Sequence, residues 1–191
     1  EEDPGTMLSV SIAKERLEEI IAVEEGVTLA NNNAPTQQIV AGTTAAITKL
    51  EKKLKDHKIA CKRIEVACAF HSPLIKKAKE NYLRYLKTID IEVPNYQVWS
   101  NTTARHYPTS KEAIKERLAD HLIQPVKFQE EVQQMYDDNA RIFIEVGPGN
   151  VLTSLVKSCL GNEVIAIDTE HRNQEGIPYL LLAIAQYIAT G

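Results

Sequence analysis

The sequence predicts an α/β protein whose first third is a ferredoxin-like βαββαβ unit and whose remainder alternates strands with helices. Three observations predict it. Over residues 1–68, four short apolar runs alternate with two stretches of helical period, in the order βαββαβ. From residue 69 onward, strand-like and helix-like segments alternate, which suggests βαβ units. The run Arg141 to Val146 is nearly continuous in apolar residues, as in a parallel strand buried on both faces. Too few strands follow residue 69 for a full doubly wound sheet, so the larger core is expected to be incomplete.

In chain order, Met7, Val10 and Ile12 mark a first strand. Ala13 to Ala22 is a helix, with Leu17, Ile20 and Ile21 on one side and Glu15, Glu18 and Glu19 on the other. Gly26 ends it, and Val27 to Ala30 is a second strand. Asn31-Asn32-Asn33-Ala34-Pro35 has turn chemistry, and Gln37 to Ala41 follows as a third strand. Thr43 or Thr44 caps a helix with the apolar stripe Ile47, Leu50 and Leu54, and Ile59 to Ala67 is the fourth strand.

Pro73 to Ile89 reads as an amphipathic helix with Leu74, Ala78, Tyr82 and Tyr85 on one side. Tyr96 to Ser100 is a strand ending in a polar loop. Ser110 caps a helix through Leu122, and Phe128 to Tyr136 is helical. The chain finishes with the strand Arg141 to Val146, a Gly147-Pro148-Gly149 turn, the helix Val151 to Leu160, the strand Glu163 to Ile167 and the helix Ile177 to Thr190.

Composition excludes several function classes. A formal charge of −4 with mixed signs gives no basic stripe for nucleic acid. No apolar run approaches the roughly 20 residues of a membrane span. The start Glu1-Glu2-Asp3-Pro4 lacks the regions of a signal peptide. Cys61, Cys68 and Cys159 form no CxxC pair, which fits a reducing cytoplasmic setting and argues against a disulfide frame or a zinc site; no metal is expected.

The most informative stretch is Cys68-Ala69-Phe70-His71-Ser72-Pro73-Leu74. A strand, a histidine and a helix-opening Ser-Pro place an imidazole at a strand-to-helix junction, where a fixed backbone can aim a side chain into a cleft. Alternation puts Cys68 on the face opposite Ala69 and His71, as a buried structural thiol. Gly147-Pro148-Gly149-Asn150 lacks the lysine of a P-loop and the third glycine of a dinucleotide motif, and is read as a structural turn.

Six segments resemble, in order, those of the malonyl-type acyltransferase domains of modular polyketide synthases and fatty-acid synthases. They are Gly5-Thr6-Met7-Leu8-Ser9-Val10; Asn33-Ala34-Pro35 with Val40-Ala41-Gly42; Ala69-Phe70-His71-Ser72-Pro73-Leu74; Ser100-Asn101-Thr102-Thr103-Ala104; Gln124-Pro125-Val126-Lys127-Phe128; and Phe143 through Leu152. The family's nucleophile lies in a G-H-S-x-G elbow, and these 191 residues contain no such pentad. The resemblance therefore implies a ferredoxin-like subdomain, residues 1–68, followed by residues 69–191 as the C-terminal part of an α/β-hydrolase-like acyltransferase core.

It also implies roles. His71 is the expected general base, held by the backbone carbonyl of His121, at a position where glutamine is often found. Phe70 stands where malonyl-selective domains have a bulky aromatic and methylmalonyl-selective ones a serine. Such exclusion is worth about 1–3 kcal/mol per methyl. Cys68 departs from the malonyl-type histidine, so methylmalonyl stays open. Asn33, Gln37 and Asn101 fall at family positions near the acyl pocket. The arginine that pairs with the malonyl carboxylate has no counterpart among Arg63, Arg105 and Arg141.

No bound cofactor is implied. Coenzyme A thioester is the expected substrate, and the acceptor is the phosphopantetheine thiol of an acyl carrier protein. Neighbouring ketosynthase and linker domains and an N-terminal half bearing the serine are the other expected partners. Without that serine the chain alone is expected to be inactive. A non-catalytic module that docks a carrier protein or neighbouring domain is the alternative.

Overall fold

The structure, a computed structural model, describes residues 3–191; Glu1 and Glu2, part of the acidic start read above against a signal peptide, lie outside the described residues. The chain divides into two compact units, one ending at Glu131 and the other running from Val132 to Gly191.

The first unit opens with β1 (Thr6–Val10), α1 (Lys14–Ile21), β2 (Val27–Ala34), β3 (Gln37–Gly42), α2 (Thr44–Asp56) and β4 (Cys61–Ile64). These form one antiparallel sheet in the order β2-β3-β1-β4, the ferredoxin-like arrangement. Alternation decides which face each residue covers. Leu8 and Val10 meet Leu17 of α1 and Ile47, Leu50 and Leu54 of α2 in a fully buried core, while Met7, Ala30, Ala41 and Ala69 pack on the other face. Thr43 caps α2, its Oγ1 accepting from Ala46 N at 3.2 Å.

Two strands of this sheet differ from the sequence reading. Asn31 to Asn33 belong to β2, bulged between Leu29 and Asn31 and again between Asn32 and Ala34. A second partner holds them there: Asn32 N donates to Val126 O and Val126 N to Ala30 O, both at 2.8 Å, which covers the edge of β2. The fourth strand stops at Ile64 instead of Ala67: its last ladder pair is Met7 with Ile64, one residue short of the Thr6 end of β1. Residues 65–72 are therefore free of the ladder, and alternation there no longer assigns a face.

The rest of the first unit comprises a 3₁₀ turn (Pro73–Ile75), α3 (Lys76–Thr88), a short hairpin β5 (Trp99–Ser100) and β6 (Arg105–His106), α4 (Lys111–Asp120) and the start of α5 (Phe128–Asp137). α3 lies along α4, with Lys79 Nζ 2.6 Å from Asp120 Oδ1. The expected apolar stripe of α3 is not its buried side. Leu74, Tyr82 and Tyr85 are exposed and Leu86 is buried. The strand expected over 96–100 shrinks to Trp99 and Ser100.

The second unit holds β7 (Ile142–Glu145), α6 (Val151–Leu160), β8 (Ile165–Asp168) and α7 (Gly176–Ile188). β7 and β8 pair in parallel, Ile142 opposite Ile165 through Glu145 opposite Asp168, as the apolar run predicts. The expected burial on both faces is not found: Ile142, Ile144 and Val146 are exposed. Glu145 turns back to cap α6, its carboxylate accepting from Leu152 N at 3.2 Å and Thr153 N at 2.7 Å. The helix N-terminus that a phosphate would need is thus occupied by a side chain, which suits the structural reading of Gly147-Pro148-Gly149. Among the described residues no helix is long and apolar enough to cross a membrane.

Candidate active site

The segment Cys68 to Ser72 leaves the sheet and is pinned at several points. Ala69 N donates to Pro4 O at 2.9 Å, and Ala69 is fully buried. Gly5 makes that approach possible: a Cβ at its φ of +71° would lie 2.6 Å from both Ala69 Cβ and Gly42 O. Ser72 is buried; its Oγ donates to Ala69 O at 2.6 Å and accepts from Leu74 N at 3.4 Å. With Pro73 at the first position it caps the 3₁₀ turn and is not presented as a nucleophile.

Between these anchors His71 has a φ of +57°, a left-handed backbone that a non-glycine residue keeps only when its surroundings enforce it. Two bonds do so. His71 N donates to Leu122 O at 2.9 Å, and Nδ1 lies 2.7 Å from His121 O. A carbonyl oxygen only accepts, so Nδ1 carries the proton and Nε2 is left as the basic nitrogen. His121 and Leu122 directly follow α4, where carbonyls lack intrahelical partners.

The His121 side chain is itself held. Its Nε2 is 2.9 Å from Tyr107 Oη and 3.0 Å from Ser100 Oγ, and its ring stacks on Tyr107 with centroids 5.9 Å apart. Burial, and then the proximity of His71, hold the His121 pKa below the usual histidine value. Tyr107 is raised by burial against a hydrogen bond from Ser100 that lowers it. Nothing in the sequence pattern singled out Ser100 for this purpose or Tyr107 at all. The short β5–β6 hairpin, extended by the bond from Tyr107 N to Val98 O, brings them together.

The other candidates are distributed along the first unit. Phe70, next to His71, is 36% exposed. Asn101 accepts from Lys127 N at 2.8 Å through its backbone carbonyl, tying the loop after β5 to the start of α5. Asn33 is buried in β2, whereas Gln37 is exposed at the start of β3. Its neighbour Gln38 is the fully buried one, with Nε2 donating to Ala34 O at 2.9 Å. Cys68 is half-buried instead of fully buried, because the strand that would have hidden it ends at Ile64. Its thiol pKa is still raised by burial, which disfavours the thiolate a nucleophile requires. Among the described residues no three His, Cys, Asp or Glu side chains come together as metal ligands would.

The geometry therefore defines a class: an α/β protein that holds the His71 imidazole through Nδ1 on a backbone carbonyl, which leaves Nε2 as the nitrogen for proton transfer. The sequence pattern of the family described as acyl transferase domain matches residues 2–191, and the chain belongs to that family. It is 38% identical over 139 residues to the malonyl CoA-acyl carrier protein transacylase of Bacillus subtilis, covering 70% of this chain and 43% of that protein. It superposes on the malonyl CoA-acyl carrier protein transacylase of Clostridium perfringens with a TM-score of 0.85 at 27% identity, covering 98% of this chain and 60% of that one. For the acyltransferase domain from module 8 of the salinomycin polyketide synthase the TM-score is 0.88 at 25% identity, covering 98% and 45%. The chain thus spans less than two thirds of the length of these relatives.

Proposed function

We propose that this chain supplies the general base, and part of the acyl pocket, of an acyltransferase that moves a malonyl unit from coenzyme A to the phosphopantetheine thiol of an acyl carrier protein. The observation that carries the reading is the 2.7 Å contact between His71 Nδ1 and His121 O, made by a histidine with a constrained backbone. The nucleophile in this reading is a serine of a G-H-S-x-G segment, a pentad that these 191 residues do not contain. In the same reading residues 1–68 are the inserted subdomain and residues 69–191 the C-terminal part of the catalytic core.

The chemistry then runs in two halves. His71 Nε2 takes the serine proton as Oγ attacks the malonyl thioester carbon, and the carbon–sulfur bond breaks as that proton passes to the coenzyme A sulfur. In the second half His71 deprotonates the carrier-protein thiol, whose sulfur attacks the malonyl-serine ester. The serine oxygen leaves and recovers the proton. An imidazole nitrogen can both take up and give back a proton, so one residue can act in both directions. Phe70 sits beside the base, where its ring would fill the room an α-methyl branch needs. Asn33, Gln37 and Asn101 line the acyl side in this reading, and the setting is the cytoplasm, beside ketosynthase and linker domains.

The test is a transfer assay on a polypeptide that joins this chain to a G-H-S-x-G segment, with malonyl-CoA and a carrier protein. His71→Ala should lower kcat about 10²–10⁴-fold. Phe70→Ser should raise the relative rate with methylmalonyl-CoA by roughly 10- to 200-fold. Full activity of His71→Ala would overturn the assignment. Carrier-protein binding without transfer by the joined polypeptide would favour a docking module.

A further inference from the structure

The reading of His71 as base assigns His121 a role only through its carbonyl, which any residue supplies. Its imidazole is nonetheless among the most restrained polar side chains near the site. We propose that the His121 side chain is a positioning group: anchored by Ser100 and Tyr107, it fixes the turn whose two carbonyls, of His121 and Leu122, set the place and tautomer of His71. The inference rests on the reading of His71 given above.

Residues 121–124 form an irregular turn after α4, with Leu122 N on Ala119 O at 3.2 Å and Ile123 N on Asp120 O at 3.0 Å. Helix ends of this kind fray unless something outside the helix holds them. Here the holder is the β5–β6 hairpin. Ser100 is fully buried, and its carbonyl accepts from Thr103 N and Ala104 N at 3.1 and 2.8 Å. Tyr107 N donates to Val98 O at 2.8 Å, and Trp99 packs edge-on against His106 at 4.3 Å. From this hairpin two hydroxyls reach one ring nitrogen, His121 Nε2.

The hydrogens have a consistent arrangement. The Nε2 proton of His121 is shared between Ser100 Oγ and Tyr107 Oη, while the Ser100 hydroxyl donates to the Tyr107 oxygen. The ring is then neutral with its proton on Nε2. The path is short and continuous: hairpin hydroxyls to the His121 ring, the ring to its own peptide, and the carbonyls of His121 and Leu122 to Nδ1 and N of His71. Loosening the ring frees the turn. His71 then drifts toward the Nε2–H tautomer, in which the nitrogen needed as base is already protonated. His121 is thus a positioning residue and touches no reacting atom in this scheme.

The readout is the tautomer of His71, measured by long-range proton–nitrogen NMR on the uniformly labelled chain at pH 8. Amide dispersion of the β1–β4 sheet monitors the fold. The wild-type His71 should show the Nδ1–H pattern. Tyr107→Phe, which keeps the ring and removes one hydroxyl, should admit the Nε2–H form, and His121→Ala should admit more of it. His121→Gln, with an amide able to meet the same hydroxyls, should restore the wild-type pattern. If His121→Ala does not fold, Tyr107→Phe and His121→Gln carry the comparison. An unchanged His71 in a folded Tyr107→Phe and His121→Ala overturns this proposal and leaves the base intact. A wild-type His71 in the Nε2–H form overturns both.

Discussion

The two units of the chain bury apolar residues to very different extents. In the first, eight residues led by Leu8, Leu17, Ile47, Leu50 and Leu54 form a closed core between one sheet and two helices. In the second, Leu155, Val156, Leu160, Ile167 and Ala183 are buried, yet Val146 is 86% exposed, Ile188 70% and Leu181 61%. A two-stranded parallel ladder and an almost wholly apolar helix, α7, are elements that proteins ordinarily cover on every side. The contrast teaches that apolar patterning predicts where a residue would be buried in a complete core. It does not say that the chain in hand supplies the cover. Exposed apolar surface of this extent marks a contact surface.

Three substitutions break or sharpen that contrast. The largest effect belongs to Leu50→Ala in α2, which removes side-chain atoms from a site with no solvent access and should cost about 2–5 kcal/mol in urea unfolding. A cost below about 1 kcal/mol would mean that the first unit's core is looser than its burial indicates.

The second concerns a buried carboxylate of the first unit. Glu131 is 5% exposed, and burial pushes its pKa up to about 7. Its folded pKa exceeds the ordinary value of 4.5, so this group's contribution to stability is full below about pH 4.5 and is lost as pH rises through 7. Glu131→Gln should be neutral near pH 4 and stabilising by up to about 3 kcal/mol at pH 8. Unfolding curves at the two pH values measure it, and equal differences at both would contradict the assignment.

The smallest effect is expected at Leu181→Gln on the exposed side of α7, within about 0.5 kcal/mol of wild type. A loss above about 2 kcal/mol would show that a second copy or another partner covers this face in solution.

Much of the fold was legible in the sequence because it is written in local periods. The alternation of β1 and β3 and the 3.6-residue stripes of α1 and α2 suffice for the βαββαβ order. What failed depended on partners distant in the chain. Asn31 to Asn33 have turn chemistry, but Val126, some 95 residues on, holds them extended. The alternation from Ile59 to Ala67 is real, yet a strand needs a neighbour to pair with, and the β1 ladder has at most one residue, Thr6, left beyond Ile64.

The site divides in the same way. His71 was visible as a histidine at a strand-to-helix junction, and its link to a residue 50 positions away came only from family resemblance. Ser100 and Tyr107 carry no periodic or motif signal for their contact with His121, because a hydroxyl reads as an ordinary loop or strand residue until the hairpin closes. Conversely, the Gly-Pro-Gly turn drew attention as a possible anion site, and Glu145 fills that position.

The most direct test of the proposed function is intact-protein mass spectrometry after incubation with malonyl-CoA. It would be run on this chain alone, on the polypeptide joined to a G-H-S-x-G segment, and on that polypeptide with His71→Ala. The account predicts no adduct on the chain alone, one malonyl adduct on the serine of the joined polypeptide, and its loss or strong slowing without His71. Malonylation of the chain alone at Cys68 or Ser72, or undiminished loading with His71→Ala, would contradict it.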